Sequence, residues 1–366
     1  MSAKGPLAAV KPAVRSLSGY TLAVRHAPVK LNQNESPYDF PEALKRRVLD
    51  EALERPWSRY PAFDPRELVE ALARAAGWTA EGVLAGNGSN ELIQALFMVT
   101  VGPGTRVVVP EPTFSLYALL TRILGGETLA APLGPELEYQ PAQILALARE
   151  LRPALMVICS PNNPTGSVLE PDDLEALCTA SAGLVVVDEA YHEFSGHSAV
   201  PLLARHPNLV VLRTFSKAMA MAGLRVGYLM ADPALAREID KARLPYNLNF
   251  FSQTAALAAL ADPAPLREGV ERIVASRQEL FRGLAHVAGV RPYPSQANFI
   301  LFELEEADPR AVFESLYNRG VLVRDVSAYP RLSRCLRVTV GSDEENEAFL
   351  VALRHALEEL RFVKER

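Results

Sequence analysis

Four short apolar runs set the architecture of this chain: Arg106-Val-Val-Val-Pro110, Leu155-Met-Val-Ile-Cys159, Leu184-Val-Val-Val-Asp188 and Leu209-Val-Val-Leu-Arg213. Each is nearly continuous in apolar residues instead of alternating, the pattern of a strand buried on both faces. Helical periodicity separates them at 116–124, 141–151 and 171–179. That alternation predicts βαβ units around a mainly parallel sheet, an α/β fold. Every run ends in polar or turn residues: Glu111-Pro-Thr-Phe114, Ser160-Pro-Asn-Asn-Pro-Thr-Gly166, Asp188-Glu-Ala-Tyr191 and Thr214-Phe-Ser-Lys217. Ligands of such sheets bind beyond the carboxyl ends of the strands, so the four clusters are expected to converge on one site.

From about residue 256 the pattern changes. Helical stretches at 265–287, 309–318 and 344–362 alternate with strand-like pieces at 299–302, 320–323 and 336–340. A smaller α+β domain is expected over 256–366, beside a large domain over 40–255. The arm at 1–39 has too little periodicity to fold alone and is expected to dock on the small domain. The 366 residues are enough for this division. A net charge of −5 and the lack of any run of five Lys/Arg argue against a nucleic-acid surface. No stretch approaches the 18 apolar residues of a membrane span. The N-terminus carries Lys4, Lys11 and Arg15 without an apolar core segment, so no signal peptide is expected. The three cysteines show no metal spacing. A soluble cytoplasmic enzyme fits these properties.

Lys217 carries the most chemistry. A lysine at the end of a buried strand, near a second cation at Arg225, has its pKa lowered by desolvation and repulsion, which makes the amine a nucleophile toward carbonyls. Thr214, Ser216 and Arg225 form an anion site beside it. Amine plus phosphate anchor is what a pyridoxal phosphate enzyme requires. Asp188 ends a buried strand and needs a cationic or hydrogen-bonding partner. It suits a pyridinium nitrogen, or else caps the next turn. Tyr191 is placed to donate to a phenolic oxygen. Gly86-Asn-Gly-Ser-Asn-Glu91 opens a helix on which Ser89 or Asn90 serves as cap, either binding phosphate or making an ordinary turn. It lacks the dinucleotide and P-loop fingerprints. The two prolines around Asn162 and Asn163 fix a tight loop with the Asn163–Pro164 bond expected cis and the Asn163 amide turned to a ligand. Phe114 offers a flat face for a ring, or is a core residue.

Asn163-Pro-Thr-Gly166, Asp188-Glu-Ala-Tyr191, and Ser216-Lys217 with Arg225 in Gly223-Leu-Arg-Val-Gly227 resemble the fold-type I, aspartate-aminotransferase-like family of pyridoxal phosphate enzymes. The resemblance runs through nearly the whole chain. Leu31-Asn-Gln-Asn-Glu-Ser-Pro37, Arg59-Tyr-Pro61, Val323-Arg-Asp325 and Leu336-Arg-Val-Thr-Val-Gly341 are similar to its histidinol-phosphate aminotransferase branch.

The resemblance implies that Lys217 is the Schiff-base lysine and proton shuttle. It pairs Asp188 with the pyridine nitrogen, and Asn163 and Tyr191 with the phenolic oxygen. Phe114 stacks where relatives often have Tyr or Trp. Ser89, Asn90, Thr214, Ser216 and Arg225 hold the phosphate, though relatives often carry Ala-Asp at 89–90. Tyr60 reaches the phosphate of the partner subunit in a homodimer. Arg337 holds the substrate carboxylate or phosphate, with Arg324 as a second cation for a phosphate and Tyr20 and Asn34 as arm contacts. Arg324 is alternatively an ion-pair partner of Asp325. The implied reaction passes an amino group from histidinol phosphate to 2-oxoglutarate, giving imidazole acetol phosphate and glutamate. An aromatic amino acid aminotransferase and a threonine-phosphate decarboxylase are the competing activities on the same fold.

Overall fold

The structure, a computed structural model, describes residues 5–17 and 25–364. After a two-residue strand β1 (Val29–Lys30), the first two-thirds of the chain builds one sheet from β2 (Val83–Gly86), β3 (Arg106–Glu111), β4 (Glu127–Pro132), β5 (Leu155–Cys159), β6 (Leu184–Asp188), β7 (Leu209–Thr214) and β8 (Gly227–Ala231). Their order is β2-β8-β7-β6-β5-β3-β4. Strands β3 to β7 pair in parallel, and β8 runs against both of its neighbours. The four apolar runs are β3, β5, β6 and β7, at the centre of the sheet.

Their continuous hydrophobicity has a direct cause. Val107, Val109, Leu155, Val157, Val186 and Val210 face one helix layer, with Leu92, Ile93 and Leu96 of the helix Ser89–Thr100. Val108, Met156, Ile158, Val185, Val187 and Val211 face the opposite layer, with Ile144 and Leu174. Side chains alternate between faces, yet both faces are covered, so polar residues have no place until the strand ends. The intervening helices are Leu116–Leu124, Pro141–Leu151 and Pro171–Ala180, within a residue of their periodic signal.

The remaining strands, β9 (Val290–Pro292), β10 (Phe299–Leu304), β11 (Val321–Leu322), β12 (Arg324–Asp325) and β13 (Cys335–Thr339), belong to two smaller sheets. One is antiparallel with order β12-β13-β10-β9, and the other pairs β1 with β11 in parallel. Helices Ala264–Ala285, Pro309–Asn318 and Asp343–Lys364 accompany them. Phe299, Phe302, Leu316 and Phe349 are fully buried in this second core.

Residues 29–34 lie along the smaller sheets: Leu31 N–H donates to the Leu322 carbonyl at 2.8 Å, and Thr339 N–H to the Leu31 carbonyl at 2.9 Å. Arg25 forms a two-pronged pair with Glu314 at 2.7 and 2.8 Å. The described residues 5–17 lie elsewhere, with Lys11 Nζ reaching the Ile123 carbonyl at 3.4 Å beside the helix Leu116–Leu124. The backbone of 29–34 therefore ties β13 and β11 to a segment that runs on into the cleft.

Candidate active site

The carboxyl ends of the parallel strands open into a cleft of about 330 Å³. Parallel register sets its floor: Cys159 at the end of β5 lies beside Asp188 at the end of β6. Antiparallel register sets one wall, because Thr214 of β7 pairs with Gly227 of β8. The chain leaves the sheet at Thr214 and must return to Gly227, so the intervening segment brings Ser216, Lys217 and Arg225 to one edge of the cleft.

Lys217 Nζ donates to the Gln33 carbonyl at 2.8 Å, across from the arm. Burial first, and then the charge of Arg337 with a smaller contribution from Arg225, hold this amine well below the ordinary lysine value, at about 7, against the opposing pull of Glu35. At neutral pH much of the amine is therefore unprotonated and nucleophilic.

Asp188 is buried, and desolvation raises its pKa against two hydrogen bonds that favour the carboxylate. Tyr117 O–H donates to Oδ2 at 2.7 Å and Ala190 N–H to Oδ1 at 3.1 Å. No cationic side chain pairs with it among the described residues. A buried carboxylate facing a cleft with only neutral donors suits a cationic ligand atom.

Opposite it, Tyr191 O–H accepts from Asn34 Nδ2 at 3.0 Å, its pKa raised by burial. Asn163 sits in a loop whose Ser160–Pro161 and Asn163–Pro164 bonds are both cis, as is Glu111–Pro112 below Phe114. Its Oδ1 accepts from Arg337, which also donates to the Asn32 carbonyl at 2.9 Å. Phe114 lines the cleft and meets Tyr117 edge-on at 5.6 Å, so it is both a cleft face and a core contact.

An anion nest closes the cleft between Arg225 and the helix Ser89–Thr100. Arg225 Nη1 donates to Ser216 Oγ at 3.1 Å, and Thr214 Oγ1 to Ser216 Oγ at 3.0 Å. Ser89 and Asn90 line the cleft but do not cap this helix by side chain: Gly88 is the N-cap and no side-chain cap bond forms. That corrects the expected capping role, and its cause is Gly88. Gly88 has φ of +79°, and a Cβ there would lie 2.3 Å from Arg225 Nη2. The guanidinium occupies the space a side chain would fill, which leaves the first-turn N–H groups open to an anion.

Arg324 of β12 pairs across the backbone with Arg337 of β13, and both side chains line the cleft. The adjacent Asp325 accepts from Ser327 N–H at 2.8 Å and makes no ion pair with Arg324 among the described residues. The structure thus gathers thirteen of the expected residues: Ser89, Asn90, Phe114, Asn163, Asp188 and Tyr191, with Thr214, Ser216, Lys217 and Arg225, and with Asn34, Arg324 and Arg337. Tyr60 is not among them. It is 81% exposed and stacks on Tyr246 at 4.6 Å. Tyr20 lies outside the described residues. Sequence reasoning missed Gln33 and Tyr329 on the cleft wall and Tyr117 beneath it.

Among the described residues no cluster of His, Cys, Asp or Glu is arranged to hold a metal, and no helix is long and apolar enough to cross a membrane. The donor set fits pyridoxal phosphate: an amine with a lowered pKa, a buried carboxylate that no cation among the described residues pairs with, a flat aromatic face and a nest for the phosphate.

A family model for class I and II aminotransferases matches residues 27–353. The chain is 41% identical to a histidinol-phosphate aminotransferase of Chlorobium luteolum, over 95% of this chain and 98% of that protein. It is 40% identical to the histidinol-phosphate aminotransferase of Chlorobaculum parvum, over 95% and 98%. The histidinol-phosphate aminotransferase of Sinorhizobium meliloti, solved in complex with pyridoxal-5'-phosphate, superposes with a TM-score of 0.87 at 27% identity, covering 96% of this chain and 98% of the other.

Proposed function

Because this chain belongs to the class I and II aminotransferase family, we propose that it transfers the amino group of histidinol phosphate to 2-oxoglutarate with pyridoxal 5'-phosphate as cofactor, as a homodimer in the cytoplasm. The products are imidazole acetol phosphate and glutamate. The names of the relatives support the substrate, and one observation in this chain carries it: Arg324 and Arg337 stand side by side in the cleft, and Arg324 forms no ion pair among the described residues. Two guanidiniums match a phosphate better than one.

When bound, pyridoxal phosphate supplies an aldehyde to receive amines and a protonated ring that withdraws electrons from the substrate's Cα. The residues supply everything else. Asp188 holds the proton on the ring nitrogen, and Phe114 stacks on the ring. Tyr191 and Asn163 hold the phenolic oxygen, with Asn34 fixing Tyr191 through its 3.0 Å bond. Thr214, Ser216, Arg225 and the first turn of the helix Ser89–Thr100 hold the cofactor phosphate. Lys217 would attach the cofactor through its amine and, when free of it, would serve as the base that takes the proton from the substrate's Cα. Arg337 and Arg324 bind the substrate phosphate in one half-reaction and the carboxylates of glutamate in the other. Tyr60 has no role inside its own cleft. Its exposure, with that of Leu53, Trp57 and Phe63 nearby in sequence, fits a contact with the cofactor phosphate of the partner subunit.

The same two arginines also suit threonine phosphate, which a decarboxylase would convert with loss of carbon dioxide. Assaying the purified enzyme with histidinol phosphate, threonine phosphate and phenylalanine separates the readings. Amino transfer from histidinol phosphate, with 2-oxoglutarate consumed in equal amount, is expected. Carbon dioxide release from threonine phosphate, or a preference for phenylalanine, would overturn the proposal. Borohydride reduction followed by peptide mapping should place the cofactor on Lys217.

A further inference from the structure

The hydrogen-bond partner of Asp188 stands outside the cleft. Tyr117 is fully buried on the helix Leu116–Leu124, in one apolar cluster with Leu92, Leu96 and Val157. A phenylalanine would fill the same volume in such surroundings, so packing alone does not account for the hydroxyl. A buried hydroxyl requires a partner, and this one donates to Asp188 Oδ2 at 2.7 Å. The backbone N–H of Ala190 holds the other oxygen at 3.1 Å. These two neutral donors fix the carboxylate plane. The Tyr117 ring also meets Phe114 at 5.6 Å with an interplanar angle of 87°. One buried residue thus braces both the face and the carboxylate that the cofactor ring would touch. Burial keeps the phenol protonated, so it donates across the working pH range.

We propose that Tyr117 is a positioning residue: its hydroxyl orients the Asp188 carboxylate and shares its charge, and so sets how strongly that carboxylate grips the ring nitrogen of the cofactor. This rests on the cofactor reading above. A hydrogen bond to the carboxylate spreads its negative charge, and a stronger donor weakens the grip on the opposite side. Losing the donor concentrates the charge, which moves the ring-nitrogen signal, but it also frees the carboxylate to rotate out of line with the ring nitrogen, and this lost orientation outweighs the gained charge in cofactor binding.

The test uses the holoenzyme with Tyr117→Phe and with Tyr117 replaced by fluorotyrosine, which preserves shape and makes the phenol a stronger donor. Isotope-labelled pyridoxal phosphate gives the NMR shift of the ring nitrogen, and titration of the apoenzyme gives cofactor Kd. In Tyr117→Phe, cofactor Kd should rise and kcat should fall by roughly tenfold, the loss of one charge-assisted hydrogen bond, while KM stays within about twofold. The ring-nitrogen shift should move in opposite directions in the two variants. If Tyr117→Phe fails to fold, the fluorotyrosine protein still decides the matter through its shift. An unchanged ring-nitrogen shift in the fluorotyrosine protein, or an unchanged Kd and kcat in a folded Tyr117→Phe, overturns the proposal. Failure of the wild type to bind pyridoxal phosphate at Lys217 would instead overturn the cofactor reading.

Discussion

Capture of pyridoxal phosphate by the apoenzyme should follow the titration of Lys217. With a pKa of about 7, about half of this amine is neutral at pH 7, against roughly one molecule in 3,000 for a lysine at the ordinary 10.5. Burial is the main cause, followed by the charge of Arg337, with Arg225 adding to it and Glu35 opposing. The perturbation is therefore twofold: vary pH on the apoenzyme, then repeat with Arg337→Gln, which removes the larger cationic neighbour. Stopped-flow absorbance gives the rate of covalent capture at each pH, at constant ionic strength. The wild-type rate should rise with pH and level off through a midpoint near 7, and the Arg337→Gln midpoint should lie higher. Stability should respond in the same window. The folded value lies below the unfolded one, so the unfolded chain binds more protons between about pH 7 and 10.5. This group then makes the apoenzyme more stable as pH rises through that range, and its unfavourable contribution is fully present below it. A capture midpoint above about 9, near the ordinary lysine range, would refute the argument that burial and Arg337 prepare the nucleophile.

Arg324→Ala should lower kcat/KM for histidinol phosphate about 10- to 100-fold, from a charge-assisted contact of roughly 1.5–3 kcal/mol, and leave phenylalanine little changed. Equal losses on both substrates in parallel assays would show that Arg324 does not recognise the phosphate. Gly88→Ala places a Cβ 2.3 Å from Arg225 Nη2 at φ of +79°, so cofactor Kd should rise and stability fall by about 1–3 kcal/mol. Cofactor titration and thermal unfolding check both, and wild-type values would mean that the nest is not built as described. Sedimentation should find a dimer, and Tyr60→Ala should weaken cofactor binding although Tyr60 is 81% exposed in the single chain. An active monomer would contradict the shared site.

What the sequence determines here is local. Continuous apolar runs mark β3, β5, β6 and β7, because a strand covered on both faces admits no polar residue before its end. The same rule locates the chemistry, since Asp188, the pair Arg213-Thr214 and the residues after Cys159 are the first positions where polarity returns. Period-3.6 spacing also gives the helices Pro141–Leu151 and Pro309–Asn318. The edge and reversed strands carried no comparable signal: β2, β4 and β8 are four to six residues long and include Gly86, Gly227 or Pro132. Pairing decides the rest, because register couples residues far apart in the chain and leaves no periodic trace. Tyr117 reads as one more core aromatic until the fold brings it to Asp188, 71 residues away. Asn34 meets Tyr191 across 157 residues, and Arg337 meets Asn163 across 174. The reversal of β8 sets Gly227 opposite Thr214, and only that places Arg225 over Ser216 and against Gly88. Burial, too, belongs to the tertiary structure: the sequence supplies the Lys217 amine, but desolvation in the assembled cleft and the arrival of Arg337 lower its pKa.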